Sequence, residues 1–207
     1  MKQKITCPCG SAWTVDIDDE INLDKNPELL NQIMDGSFLK FICSGCGKKH
    51  KPEFPLIVQW ASKKIRIEVL PELERGEFIR RKKDIPHTET IIGYPELADR
   101  LAVIRDNLEP AAIEAIKYFL LVRAEESFPD LRISVWYHGI TAGDPKSIEF
   151  HIHGIKADEV AVSRIPWNLY QKYLDQYKKK PRGELFASLR MRTYLSVSNM
   201  MHPEGFR

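Results

Sequence analysis

Four cysteines, arranged as two close pairs, constrain this chain more than any other feature of its sequence. The first pair, Cys7 and Cys9, lies in C-P-C-G, and the second, Cys43 and Cys46, lies in C-S-G-C-G; the chain has no further cysteine. Zn²⁺ is borderline-soft, has no redox chemistry and accepts four thiolates in a tetrahedron. We therefore predict one structural Zn²⁺ bound by these four side chains.

A glycine follows each pair, at Gly10 and Gly47. We expect these glycines to let backbone N–H groups turn towards the sulfurs and offset the thiolate charge. Two alternatives stay open for the cysteines. They can be small buried apolar side chains, or they can form a thiol redox sensor, since C-S-G-C has dithiol spacing although no βαβ pattern follows it.

Composition limits the protein to a globular class. Of 207 residues, 43% are hydrophobic and 29% are charged, and the net charge of +2 predicts no strong affinity for polyanions from bulk charge. No apolar run approaches the ~20 residues of a membrane helix, and residues 1–10 lack the apolar stretch of a signal peptide. We expect no membrane association and a cytoplasmic location, where thiols stay reduced.

The pattern of apolar residues predicts an α+β fold. Alternation at 13–17, 38–42 and 56–60 predicts strands, and Asn26-Pro27 opens a helix that ends at Gly36. This is a zinc-ribbon-like unit with an inserted helix. The clean alternation of residues 64–70 predicts a half-buried strand. A helical hairpin opening at Pro95 and Pro110, antiparallel strands at 131–137, 147–154 and 160–165, and a helix from Pro166 follow.

These elements suggest four segments. We predict a zinc-ribbon-like domain at 1–70, a linker with a basic run at 71–94, an α+β domain at 95–177 and a basic tail at 178–207. The tail carries seven basic and two acidic residues, for a net charge of +5. It can be an ordered extra helix over Leu185–Tyr194, an arm that docks on a partner, or a partly disordered segment.

Two basic clusters are candidate contacts for a polyanion, although a run of charges is usually a solvated surface. The eight candidate residues are Arg80, Arg81, Lys82, Lys83, Lys178, Lys179, Lys180 and Arg182.

A histidine-rich strand is the candidate for a second site. Side chains alternate along a strand, so Glu149, His151 and His153 share one face. If 131–138 forms the partner strand, Trp136 and His138 can join that face. Two imidazoles and a carboxylate can bind a metal, but a solvated face is the commoner outcome. No catalytic motif of known spacing is present.

Residues 5–60 resemble the CpXC domain family of bacterial and archaeal proteins. The resemblance lies in the two cysteine pairs, the N-P-E-L helix start, the helix-ending Gly36-Ser37 and the strand after the second pair. It extends to the helical segment 95–122. The chain departs from the family pattern in C-P-C, which is one residue short, and in Ser44, where the pattern has proline. The resemblance implies a metal-binding domain without an established function.

Taken together, these features predict a non-enzymatic zinc-binding protein whose structural metal supports a surface for a macromolecular partner, either a protein or a nucleic acid. One alternative is an enzyme or a small-ligand or metal-binding protein that uses the face of Glu149, His151 and His153. The other alternative is the thiol redox sensor.

Overall fold

A computed structural model describes residues 1–81 and 83–201. The chain divides into two compact units, with unit 1 ending at Ala98 and unit 2 beginning at Asp99. Both units combine helices with strands, and the described residues form seven α-helices and several antiparallel sheets. The α+β class predicted from the sequence is therefore confirmed.

Unit 1 is built mainly from short strands. Its strands are β1 (Lys2–Thr6), β2 (Ala12–Asp16), β3 (Glu20–Asn22), β4 (Phe41–Ile42), β5 (Lys49–His50), β6 (Leu56–Trp60), β7 (Ile65–Leu70) and β8 (Glu89–Ile92). Its helices are α1 (Glu28–Asp35), α2 (Arg75–Arg80) and the first turns of α3 (Tyr94–Arg105).

Helix α1 is the helix predicted between the two cysteine pairs. Gly36 ends it with a left-handed φ of 71°, and its N–H donates to the carbonyl of Ile33, as a glycine at this position commonly does. The start differs from the prediction by one residue, because Pro27 occupies the cap and Asn26 does not. Pro27 already has helical dihedral angles and no N–H to satisfy.

The strand predicted at 38–42 is shorter than expected. Only Phe41 and Ile42 pair as a strand, because Leu39 has a positive φ of 50° that breaks the extended run. β1 and β2 form the other hairpin of this region, and a small core of Ile5, Ile17 and Phe54 packs beside them.

Four strands of unit 1 form a mixed sheet in the order β3-β6-β7-β8. β6 and β7 are antiparallel, whereas β3 and β8 run parallel to their neighbours. Strand β7 was predicted to be half-buried, but its last four residues are all buried. The reason is Arg81, whose guanidinium covers Glu68 on the predicted polar face with hydrogen bonds of 2.7 and 2.6 Å.

The range 71–94, predicted as a linker, holds regular structure. Helix α2 buries Phe78, and β8 pairs with β7 in register, Val69 opposite Ile91. The apolar residues of β8 were too few to predict a strand from the sequence. The strand is stabilised by the burial of its side chains on the sheet, which the local pattern does not show.

Unit 2 begins inside helix α3. It continues with α4 (Pro110–Ser127), β9 (Ser134–Thr141), β10 (Ser147–Lys156), β11 (Glu159–Pro166), α5 (Trp167–Lys179), α6 (Glu184–Ser188), β12 (Arg190–Met191), β13 (Tyr194–Leu195) and α7 (Ser198–Met201). The predicted helical hairpin, three antiparallel strands and following helix are all present. The strands lie in the order β11-β10-β9.

The described residues of the predicted basic tail, 178–201, hold regular structure. Phe186 in α6, Leu189 and Tyr194 are buried, so this segment packs its apolar side chains inside the protein. Tyr194 lies in β13 rather than in the predicted helix. Arg207 and the other residues after Met201 lie outside the described range.

A network of four buried charges joins this segment to α3 and α4. Lys117 donates to Asp99 and, at 2.9 Å, to Glu114; Arg100 donates to the carbonyl of Leu195. The second oxygen of Glu114 accepts the N–H of Val197 at 2.8 Å. Burial alone would lower the pKa of Lys117, but the carboxylates of Asp99 and Glu114 outweigh it and raise that pKa.

Across residues 1–81 and 83–201, every helix is too short or too polar to cross a bilayer.

Candidate metal centre

Each cysteine pair lies in the turn of a β-hairpin. Cys7 and Cys9 join β1 to β2, where Thr6 pairs with Ala12, and Cys43 and Cys46 join β4 to β5, where Ile42 pairs with Lys49. Gly10 and Gly47 have positive φ values of 91° and 71°, which glycine adopts without strain. The two knuckles predicted from the sequence are therefore two hairpin turns.

The hairpins bring all four sulfurs together, within 4.8 Å of one another. Sγ of Cys7 lies 3.6 Å from Sγ of Cys46, and Sγ of Cys9 lies 3.6 Å from Sγ of Cys43. An ion at about 2.3 Å from four tetrahedral sulfurs requires sulfur–sulfur distances of about 3.8 Å. The four side chains therefore fit one metal ion, and the short C-x-C pair brings its sulfurs into the same cluster as the C-x-x-C pair.

Close approach of the hairpins depends on a small residue at position 45. A Cβ atom on Gly45 would overlap Oγ of Ser11 and would lie 3.7 Å from Sγ of Cys9. Gly45 thus permits one hairpin turn to lie against the other.

Backbone N–H groups surround the sulfurs, and Gly10 and Gly47 contribute by closing the turns rather than by donating to the sulfurs themselves. The N–H groups of Gly10 and Gly47 donate to the carbonyls of Cys7 and Cys43 and so close the turns. The sulfurs receive N–H groups from Cys9, Ser11, Gly45 and Cys46 instead. The expected stabilisation of thiolate charge is present, because the tight turns point the N–H groups between and after the cysteines inward.

His50 is a further neighbour of the cluster that the sequence analysis missed. Its Nε2 lies 3.3 Å from Sγ of Cys7, and its ring meets Trp13 edge-on with the centroids 5.6 Å apart. An imidazole N–H at this position can donate to a metal-bound thiolate. No local sequence pattern marked His50, because it reaches the cysteine cluster only through the pairing of β4 with β5, in which it lies opposite Phe41.

The thiols hold their protons unequally. The N–H of Cys9 lowers the pKa of Cys7, but burial and the adjacent sulfurs outweigh it and raise that pKa to about 12. Hydrogen bonds with Ser11 lower the pKa of Cys9 to about 6. Burial raises the pKa of Cys43, yet the N–H groups of Cys46 and Gly45 bring it below its ordinary value. A cation bound among the four sulfurs would compensate the charge of their thiolate forms.

The centre is half enclosed by the protein. Cys7 and Cys43 are 2% and 1% exposed, whereas Cys9 and Cys46 are largely exposed to solvent. With four sulfurs available, a tetrahedral ion has no position left for a substrate.

The histidine face of unit 2 gathers two of the three predicted side chains, together with His138, which was predicted on this face if 131–138 formed the partner strand. Glu149 and His151 come together with His138, and these three ligand atoms lie within 4.8 Å. His153 is not part of this group, because it lies two residues beyond His151 in β10, opposite Ser134. The pairing of β9 with β10 shifts register between Glu149 and Phe150, and the extra residue at the shift is His138.

The side chains predicted to contact a polyanion differ from one another in their surroundings. Arg81 is bound to Glu68 and lies 3.4 Å from Asp84, so its guanidinium is held by carboxylates of its own unit. Arg80 and Lys83 are exposed, and Lys82 lies outside the described residues. In unit 2 the four predicted side chains are all exposed: Lys178, Lys179, Lys180 and Arg182.

Comparison with known proteins agrees with this centre. No solved structure matches the chain. An uncharacterized protein of Treponema pallidum (strain Nichols) is 29% identical to this chain over an alignment 216 residues long. The alignment covers 95% of this chain and 97% of the relative. The model of the CpXC protein family matches residues 5–117, more than half of the chain, and this range includes all four cysteines. The chain belongs to the CpXC family.

Proposed function

We propose that this is a non-enzymatic zinc protein, in which one Zn²⁺ bound by four cysteines holds unit 1 in shape so that its surface can bind a partner protein. The observation that carries the proposal is the closed cluster of four sulfurs at the turns of two hairpins. Zn²⁺ suits this cluster because its donors are all thiolates and the two 3.6 Å sulfur–sulfur distances are close to those of a tetrahedral set.

The metal has a physical reason to be structural. The hairpins that carry the cysteines have a small core, formed by Ile5, Ile17 and Phe54 with a few partly buried neighbours. A core of this size contributes little to folding on its own, and metal binding then supplies much of the free energy. Removing the ion should therefore loosen the hairpins before it affects the rest of the chain.

An exposed apolar side chain next to the centre supports a protein partner. Ile42 is 64% exposed, and it immediately precedes the buried ligand Cys43. An isoleucine fixed on a metal-held hairpin can insert into a pocket of a partner at low cost in conformational entropy. We place the partner contact on this hairpin.

The test compares Ile42→Glu with Leu131→Glu, a matched change at an exposed apolar residue of unit 2. Both variants should keep their metal and their fold. A partner cross-linked to the wild-type protein in its native cell should bind Ile42→Glu at least about tenfold more weakly, which corresponds to about 1.4 kcal/mol. Equal binding by the two variants would remove Ile42 from the interface.

Measuring the affinity of the same variants for RNA and DNA across a salt series separates a nucleic-acid partner from a protein partner. Contacts between phosphates and exposed side chains such as Arg80, Lys83 and Lys178 would make the affinity for RNA or DNA fall steeply with salt. Tight, salt-sensitive binding of nucleic acid that Ile42→Glu leaves unchanged would overturn the assignment of a protein partner.

Thiol reactivity distinguishes the structural metal from the redox sensor. The zinc-bound protein should react slowly with a thiol reagent until a chelator is added, because bound thiolates are shielded. Four thiols that react at once, without a chelator, and form disulfides reversibly would support the redox sensor instead.

A further inference from the structure

The outer face of the antiparallel sheet in unit 2 carries a convergence of three metal-binding side chains. Glu149 and His151 point to this face by the ordinary alternation of β10, while Phe150 between them is fully buried against the edge of the Tyr137 ring. The register shift in β9 inserts one additional residue, His138, on the same side. Bulges of this kind re-aim a side chain and are frequent at functional sites.

Both imidazoles approach the same carboxylate oxygen. Nε2 of His151 lies 3.3 Å from Oε1 of Glu149, and Nε2 of His138 lies 3.9 Å from it. The two rings are stacked, with centroids 3.8 Å apart and an angle of 16° between their planes. Two nitrogens and one oxygen thus surround a single point on the surface of the sheet.

The other oxygen of the carboxylate is held separately. Arg164 of the neighbouring strand β11 donates from Nε to Oε2 of Glu149 at 2.9 Å. This hydrogen bond fixes the plane of the carboxylate and leaves Oε1 directed at the imidazoles. A group that orients a ligating carboxylate in this way is typical of metal sites.

We propose that His138, Glu149 and His151 bind one divalent first-row transition-metal ion, such as Zn²⁺ or Ni²⁺, through two imidazole nitrogens and Oε1. This set is borderline in softness and suits such ions, which bind imidazole well. Three protein donors leave the remaining positions to water, so the ion is exchangeable. The site is independent of the cysteine centre in both its residues and its donor atoms.

Binding requires only a small adjustment. The stacked rings must turn about their χ2 angles so that both lone pairs point at the ion, and this torsion has a broad energy well. His138 is 57% exposed and has room to turn. Arg164 is 68% exposed, so solvent screens much of its repulsion of the cation.

The test is a calorimetric titration of the zinc-loaded full-length protein with Ni²⁺ near pH 7.5. The wild-type protein should bind one equivalent. His138→Ala and His151→Ala should each lower the affinity by at least the ~10-fold that loss of even a supporting residue costs. His153→Ala is the matched control, because it removes an exposed histidine from the same face of the same strand and should bind as the wild type does.

Two further readouts keep the outcome independent of variant folding. Ni²⁺ should broaden the imidazole NMR signals of His138 and His151 in the wild-type protein and leave that of His50, beside the cysteines, unchanged. Co²⁺ should give no thiolate-to-metal charge-transfer band. Absence of Ni²⁺ binding, equal binding by His151→Ala and His153→Ala, or selective broadening of His50 would each overturn the proposal.

Discussion

Single residues around the cysteine centre explain how four thiolates are tolerated together. The backbone donates N–H groups to the sulfurs, and His50 adds a ring nitrogen 3.3 Å from Sγ of Cys7. Cys7 is almost fully buried and most needs this compensation, because burial raises its pKa. His50 is therefore positioned to support a metal bound by the four cysteines.

Replacement of His50 should weaken metal retention without abolishing it. We expect His50→Ala to lower the affinity for Zn²⁺ by about 10–100-fold, the usual cost of losing an outer-shell partner. His50→Gln keeps an N–H donor and should therefore lower the affinity for Zn²⁺ by less than His50→Ala does. Competition with a chromophoric chelator measures both constants.

Lys49→Ala is the control for this comparison, since Lys49 is exposed on the same short strand. Retention of metal by His50→Ala equal to that of Lys49→Ala would show that the imidazole does not support the centre.

At the residue scale, sequence spacing predicted the four cysteines as one cluster because paired thiolates have few other uses in a reducing compartment. Strand alternation in a hairpin with 131–138 also predicted His138 on the face of Glu149 and His151, but it did not predict the bulge that brings His138, rather than His153, beside Glu149. His50 was not predicted, because it reaches the centre only through the pairing of β4 with β5, which does not follow from a period of two along a strand.

At the scale of the elements, the loop-to-strand transition before β9 depends on one glycine. Gly154, in β10, has a positive φ of 95°, and a Cβ atom there would overlap the carbonyl oxygen of Arg132. The backbone of residues 132–133 packs directly on this glycine. The end of the histidine-bearing strand is thus fixed by a close backbone approach.

Gly154→Ala should lower the free energy of unfolding of unit 2 by at least about 2 kcal/mol, because it combines a strained φ with an overlap against backbone. Gly143→Ala, in the turn between β9 and β10, meets no atom within 4 Å and should stay within about 0.5 kcal/mol of the wild type. Urea unfolding followed by fluorescence measures the difference. Equal stability of the two variants would contradict the close approach.

Long periodic elements were predictable and short ones were not. Helix α4 begins at Pro110 as predicted, and β6 has the predicted bounds, because proline placement and a run of apolar residues specify each locally. Helix α2 and strand β8 lie where a linker was predicted. Their burial comes from the sheet and from the ion pair between Arg81 and Glu68, which no local pattern encodes.

At the scale of the whole molecule, each unit has its own cluster of stabilising side chains. Unit 1 has the cysteine centre, and unit 2 has the buried charges of Asp99, Arg100, Glu114 and Lys117. Two acids and two bases balance each other, and Glu114 and Arg100 also bind the backbone of Val197 and Leu195. The network makes the basic C-terminal segment part of the fold of unit 2.

Lys117→Met should destabilise unit 2 by about 3–5 kcal/mol, because it leaves Asp99 and Glu114 buried without their shared cation. The raised pKa of Lys117 means that its stabilisation is present below the pKa of an unfolded lysine and is lost as pH rises through the folded pKa. The difference from the wild type should therefore persist at pH 7 and shrink at strongly alkaline pH.

Lys172→Met, on the exposed side of α5, is the matched control and should leave stability nearly unchanged. If denaturant titrations at several pH values gave the two variants the same stability, the buried network would not hold unit 2 together.

The central claim is that one zinc ion, held by four cysteines, maintains unit 1. Its most direct test is the metal content of the purified full-length protein by native mass spectrometry, with Cys43→Ser beside the control Ser44→Ala. After dialysis that removes exchangeable ions, we predict one tightly bound Zn²⁺ per chain in the wild type and in Ser44→Ala, and none in Cys43→Ser, with loss of dispersed NMR signals from residues 1–60. A metal-free wild-type protein whose unit 1 is folded and indifferent to chelator would contradict the claim.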